Sequence, residues 1–307
     1  MSSDVKSMQV IDFNNLSNEA ALERKLKIKT AALRFLVYLG ATITSAVLVF
    51  LIGYIAVKGI PHITPSLFAW TYDSENVSLT PALINTLLMI IVTLIIAVPL
   101  GVGGAIFLVE YAPKGSKFVK IVRIATETLQ GIPSIIYGLF GMLFFVTALG
   151  WGMSLLAGAF TLAIMILPLI MRTTEEALMA VPESYREGSF GLGAGRLRTV
   201  FRVVLPSAIP GILGGVILGI GRCVGEVAAL LYTAGTVAKV PDVAGEGIAS
   251  IFDSTRTLAV HMYSLSREGL HIDETYATAV ILIVMVILLN LISNKVAKRM
   301  MKGKTND

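Results

Sequence analysis

Hydrophobic and polar positions along the chain alternate in long blocks. Apolar runs fill residues 31–57, 81–109, 127–149, 153–171, 206–234 and 276–296, and each is long enough to cross a hydrocarbon core of about 30 Å as a helix. The polar blocks between them carry the turn-forming residues. The third and fourth runs are separated only by Gly150, Trp151 and Gly152, which predicts a tight antiparallel hairpin. Pro99 and the glycines at 101, 103 and 104 lie inside the second run, where neighbouring helices must cover the freed backbone groups. The pattern predicts an all-α integral membrane protein with six transmembrane helices.

Residues 1–30 are polar and carry a weak amphipathic signal. Asn18 stands as a cap and Leu22 and Leu26 share a face among Arg24, Lys25, Lys27 and Lys29, which predicts an interfacial lead-in helix ahead of a first span at 31–57. That span begins too far into the chain for a secretory signal, and no cleavage-like site follows it, so it is expected to stay as an anchor. The loop at 236–275 is long enough to hold structure of its own, with Ile251, Phe252, Leu258, Val260 and Met262 interspersed among polar groups.

Composition agrees with the pattern: 55% of the 307 residues are hydrophobic and only 15% charged, well below the roughly 25% of soluble domains. The net charge of +5 does not indicate nucleic acid, because 20 of the 25 lysines and arginines fall beside one set of span ends. By the positive-inside rule these are the cytoplasmic ends, so both termini are predicted to be cytoplasmic, with residues 298–307 as a tail. Cys223 is the only cysteine, and His62, His261 and His271 have no ligand spacing, so neither a disulfide nor a metal site is expected. No Ser/His/Asp, Cys/His or HExxH arrangement points to an intramembrane enzyme.

The cytoplasmic loop at 172–205 is the most patterned polar block. Thr173 and Thr174 with Glu176 downstream suggest a helix start, and Pro182 suggests a second one for a short helix through Tyr185, Arg186 and Glu187. Gly191, Gly193 and Gly195 permit a sharp turn, and Arg196, Arg198 and Arg202 lead back to the membrane at Leu205-Pro206. The fifth span, read as 206–234, carries Arg222 and Glu226 four residues apart on one face. A charge in mid-span costs roughly 2.5 to 3.5 kcal/mol, so either the two neutralise each other or they line a passage for an anion. Gly211, Gly215 and Gly219 lie near the face of Arg222, and Gly221 and Gly225 form a second close-approach pair. An arginine fork beside a carboxylate suits a protonated oxyanion: phosphate keeps an O–H to donate to Glu226, whereas sulfate does not.

Glu187-Gly188-Ser189, three residues, Gly193, nine residues and then Val203-x-Leu205-Pro206 resemble the EAA loop of binding-protein-dependent ABC importers. Gly188, Ser189 and Val203 depart from that pattern, and the two first imply a more pliant helix. The stretch from Gly221 to Gly235 resembles the PstA family of phosphate-specific transport permeases, with Cys223, Val227 and Ala229 as departures. Ala105–Ala112 and Gly131–Phe140 agree with the same family, so the resemblance covers about residues 80–295. Pro133 and Ser134 fall in that match, although a helix irregularity accounts for them equally.

The resemblance implies a type I ABC importer (MetI-like) transmembrane domain over 80–297, with the importer core in spans two to six. It implies that Arg222 and Glu226 mark the substrate pathway, and that Tyr185, Arg186, Glu187 and Gly193 serve coupling to a separate ATPase. No cofactor is expected in this chain, ATP and Mg²⁺ being bound by the partner ATPase; Gly303-Lys304-Thr305 lacks the first glycine of a phosphate loop. The implied partners are a second homologous permease, two ATPase subunits, an extracytoplasmic phosphate-binding protein and the lipid bilayer of the cell (inner) membrane. A permease for another oxyanion, or a membrane sensor or scaffold reporting phosphate status, are the alternatives.

Overall fold

The computed structural model describes residues 13–113, 115–242 and 245–302. The tail motif at 303–305 and the side chains of Asn18, Leu22 and Arg24 lie outside the described residues. Among the described residues every regular element is helical. The chain divides into two compact units, residues 1–57 and 58–307.

The first unit is a single helix. α1 runs unbroken over Phe13–Gly59, so the expected separate lead-in helix does not exist and Asn18 lies inside α1 instead of capping it. The physical reason is compositional: no Gly or Pro occurs between Phe13 and Leu39, and the Ala, Leu, Glu, Arg and Lys that fill the polar part are strong helix formers.

The second unit is built on α2 (Thr80–Ile106), α5 (Leu155–Met179), α8 (Leu205–Val224) and α11 (Ile272–Lys302). α2 and α5 pack through small residues: Ala97, Ala159 and Ala163 are buried, and a Cβ added at Gly101 would stand 2.9 Å from Ile170 Cγ2. Such residues let helix backbones approach where lipid offers no hydrophobic drive. Met89, Leu162, Met165, Ile166 and Ile170 complete that core with Cys223, Leu230 and Met285. Pro99 is tolerated within α2 on an exposed face.

Three expected spans differ from their sequence boundaries. The third is not one helix: α3 (Lys117–Gln130) and α4 (Ser134–Gly141), which continues as a π-helical stretch to Ala148, meet at a 102° bend over residues 131–133. Pro133 cannot continue α3, and its ψ of 140° turns the chain out of the helix. Among the described residues five helices are long and apolar enough to cross a membrane, or six if the bent pair counts as one span. α5 passes straight through Thr173 and Thr174 to Met179. Thr173 starts no helix because its hydroxyl donates back to Leu169 O at 2.9 Å.

The fifth span also stops early. α8 ends at Val224, Gly225 adopts φ −91° and ψ 3°, and a separate six-residue helix, α9 (Ala228–Thr233), follows. The hairpin between the third and fourth spans is present: Gly150 and Gly152 have φ of +68° and +67°, and Trp151 packs against Phe145 and Phe160 with ring centroids 5.3 Å away in each case.

The loop after α9 folds back onto the core. Asn85 of α2 donates to Lys239 O and Arg256 O, and Thr86 Oγ1 accepts from Leu258 N at 2.8 Å, seating α10 (Leu258–Glu268) on the end of α2. His261 of α10 is fully buried, edge-on to Tyr72 and beside the Arg256 guanidinium. Burial, reinforced by Arg256, holds its pKa down to about 4. Because the unfolded value is higher, this cap is fully stable above about pH 6.5 and loses stability as pH falls toward 4, by about 2 kcal/mol at pH 5. Thermal unfolding of the purified protein at pH 7 and pH 5 is expected to show that loss, and His261→Gln to remove most of the difference.

Candidate functional site

Two regions gather the candidate residues: the break between α8 and α9, and the helices of the loop at 172–205 next to the ends of α2 and α5. At the break, α4 lies against α9 so closely that a Cβ on Gly138 would stand 2.7 Å from Ala229 Cα. Tyr137, beside it, is buried and donates its hydroxyl to Leu129 O at 2.8 Å. Gln130, just before the bend, donates to Pro168 O at 3.2 Å. The bend is thus tied to α5 by a polar contact and to α9 by close backbone packing.

Arg222 and Glu226 are both here, but not as a pair on one helical face. With α8 ended, Glu226 turns to the next element: its Oε1 accepts from Ala229 N at 3.0 Å, which caps α9, and the residue is buried. No ion pair joins it to Arg222 among the described residues. Arg222 is half-buried in the last turn of α8, within Coulombic range of Tyr137 and Cys223, and its guanidinium has no hydrogen-bond or ion-pair partner among the described residues. Its five N–H donors are thus unused among the described residues.

The glycine rows divide. Gly211 and Gly215 face α5, where added Cβ atoms would stand 2.6 Å from Ala177 Cβ and 2.7 Å from Thr173 Cβ, so that row is helix packing. Gly221 and Gly225 are exposed, with nothing within 4 Å of an added Cβ. The side of the break next to Arg222 is therefore open in this chain.

In the loop at 172–205, α6 (Glu183–Gly191) follows Pro182 as the sequence predicts. Gly193 takes φ +83°, and its N–H donates to Phe190 O at 2.9 Å, closing the turn that leads to α7 (Arg196–Thr199). α7 passes through a π-helical stretch directly into α8. Ser189 and Thr199 exchange a hydroxyl hydrogen bond of 2.8 Å that ties the two arms of the loop. Tyr185 and Glu187 are exposed, and Leu192 is 91% exposed, the most open large apolar residue of the loop.

Arg186 does not share that outer face. It is buried, and its guanidinium turns inward to Glu110 Oε1 at 2.7 Å, to Leu178 O at 3.0 Å and to Val181 O at 2.9 Å. The resemblance groups Arg186 with Tyr185, Glu187 and Gly193 as coupling residues; Arg186 is buried, whereas Tyr185 and Glu187 are exposed. Glu110 was not singled out from the sequence. Its signal was there, an acid at the end of an apolar run, but only the fold shows what it meets. Nearby, Arg123 is paired with Glu175, and Arg172 joins Glu127 and Glu176 at 3.1 and 3.0 Å, linking α3 to α5.

Residues 97–302 match the family described as the binding-protein-dependent transport system inner membrane component. The chain belongs to this family. A probable ABC transporter permease protein, YqgI of Bacillus subtilis, is 37% identical to this permease, covering 88% of this chain and 95% of that one. The phosphate transport system permease protein PstA of Mycobacterium leprae is 33% identical over 70% of this chain and 71% of its own. PstA of Pasteurella multocida is 36% identical over 66% and 76%. Among solved structures, a chain of a bacterial alginate ABC transporter matches with a TM-score of 0.61 at 15% identity, covering 92% of this permease and 98% of that chain. A chain of the inward-facing MetNI methionine ABC transporter matches at 0.55 and 20% identity, over 72% and 94%. These two likenesses show the fold: this permease has the transmembrane architecture of ABC importers. It is a membrane-spanning transport subunit, with the bend, the α8–α9 break and the loop at 172–205 inside the matched region.

Proposed function

We propose that this permease carries inorganic phosphate across the cell membrane as one half of an ABC importer's translocation pathway. The observation that carries the reading is Arg222: a half-buried guanidinium without a partner among the described residues, at a helix break open on one side. The PstA relatives support phosphate as the anion, and Glu226, with one oxygen engaged at α9, retains acceptor capacity for a protonated oxyanion.

The open side at Gly221 and Gly225 is consistent with a second, homologous permease supplying the opposite wall. Two ATPase subunits then engage the exposed surface around Tyr185, Glu187 and Gly193, and an extracytoplasmic phosphate-binding protein delivers the anion to the side of residues 236–275. In this arrangement both termini are cytoplasmic, as the distribution of lysine and arginine requires. ATP and Mg²⁺ belong to the ATPase.

The test is reconstitution of the permease with those partners in liposomes. ATP-dependent accumulation of labelled phosphate is expected, with competition by arsenate and none by sulfate. Equal competition by sulfate would replace phosphate with a broader oxyanion specificity, and assembly of an active transporter from this permease alone would remove the second wall.

A further inference from the structure

The nine residues of α6 bury only one side chain, Arg186. Everything else on that helix is exposed or half-exposed, including the residues that the proposed ATPase contact uses. The attachment of α6 to the membrane helices is therefore concentrated in one guanidinium, helped by the peripheral Ser189–Thr199 bond. Its acceptors come from two different helices. Leu178 O lies in the last turn of α5 and Val181 O just beyond its end, and Arg186 donates to both. Glu110 belongs to the π-helical turn Phe107–Tyr111 that closes α2, and its Oε1 takes both Nε and Nη2 of Arg186. A π-helical turn re-aims the side chains it carries, and here it carries the carboxylate that meets the loop.

Above this joint, Ala105, Ile106, Leu178, Val181, Val200, Val204, Ala208 and Ile212 form an apolar knuckle, separate from the main core, that packs the ends of α2, α5 and α8 together. α8 leads from there to Arg222. We infer that Glu110 is a positioning residue for coupled transport: by holding Arg186 it fastens α6 to the ends of α2 and α5, so that a displacement of α6 moves those helices, and with them α8, as one body. This rests on the proposed role of the loop as the ATPase contact. Glu110 touches neither solute nor ATPase; it acts through Arg186.

The prediction separates transmission from mere support. In the complete transporter, Glu110→Gln keeps the shape but removes the charge that Arg186 needs, and Arg186→Lys keeps the charge but removes the fork that reaches both helices. Both variants are expected to copurify with their partners, and Glu110→Gln is expected to keep basal ATP hydrolysis within about two-fold while losing much of its stimulation by the binding protein, which must cross the same joint. Phosphate moved per ATP hydrolysed is expected to fall about ten-fold or more, within the range of ordinary coupling energies. Glu110→Asp should recover part of that ratio. Uptake and hydrolysis that fall in proportion, or a wild-type ratio in both variants, would overturn the inference, as would failure of both variants to assemble, which would make the pair architecture alone. Wild-type complexes that import no phosphate would sink the functional reading and this inference with it, whereas normal wild-type import with unchanged variants sinks only the inference.

Discussion

Arg222→Gln is expected to abolish phosphate uptake, by about 100-fold or more, while the complex assembles and its ATPase turns over. The magnitude follows from one charged donor to an anion in a site of low dielectric, which contributes roughly 3 kcal/mol. Assembly is expected to survive because Arg222 holds no other group in place among the described residues. The same geometry decides the charge-exchange experiment. If Arg222 and Glu226 formed a structural salt bridge, Arg222→Glu combined with Glu226→Arg would restore what each single change loses. Glu226 instead accepts from Ala229 N, and an arginine has no acceptor to offer that N–H. The double exchange is therefore expected to remain inactive and to lose about 1 kcal/mol from the missing cap. Labelled-phosphate uptake in liposomes, with the copurified subunits quantified on the same sample, reads both outcomes; full rescue by the exchange would sink the passage role.

The second large effect is expected at the loop. Gly193→Pro removes the N–H that bonds Phe190 O and demands a φ near −65° where the chain has +83°, so the turn after α6 cannot close. Glu187→Lys leaves the backbone intact and reverses an exposed charge beside Tyr185. Both are expected to lower uptake by about ten-fold or more with the two permeases still associated, the first through a misplaced α6 and the second through a repelled partner. Their ATPase behaviour distinguishes them from Glu110→Gln. Loss at the docking face lowers hydrolysis itself, because the ATPase is no longer held, whereas loss at the Glu110–Arg186 joint keeps basal hydrolysis and leaves it uncoupled from uptake. Normal transport in both loop variants would take residues 183–193 out of the mechanism.

Much of this molecule is written in one dimension. Spans are legible because lipid forbids exposed backbone polar groups, so a long apolar run must be helical wherever it sits. The turn at Gly193 is legible from the glycine that φ +83° requires. The family is legible from the spacing between Glu187 and Pro206 and from the stretch after Gly221. Thr173 shows the limit of local signals: a threonine caps helices or bonds back within them, and Thr173, packed against Gly215 of α8, does the second.

What only the tertiary structure decided are the relations between elements. Periodicity placed Arg222 and Glu226 on one face because it assumed an unbroken helix; the break at Gly225 gives Glu226 to α9 and leaves Arg222 unpartnered among the described residues. The 102° bend at 131–133 turned one apolar run into two helices, since a proline within a hydrophobic stretch is compatible with a kink or a full turn until its neighbours are known. Arg186 read as a surface charge in a basic loop. Its partner, Glu110, lies 76 positions away in sequence, and no local pattern records a contact that exists only because α2, α5 and α6 end at the same place.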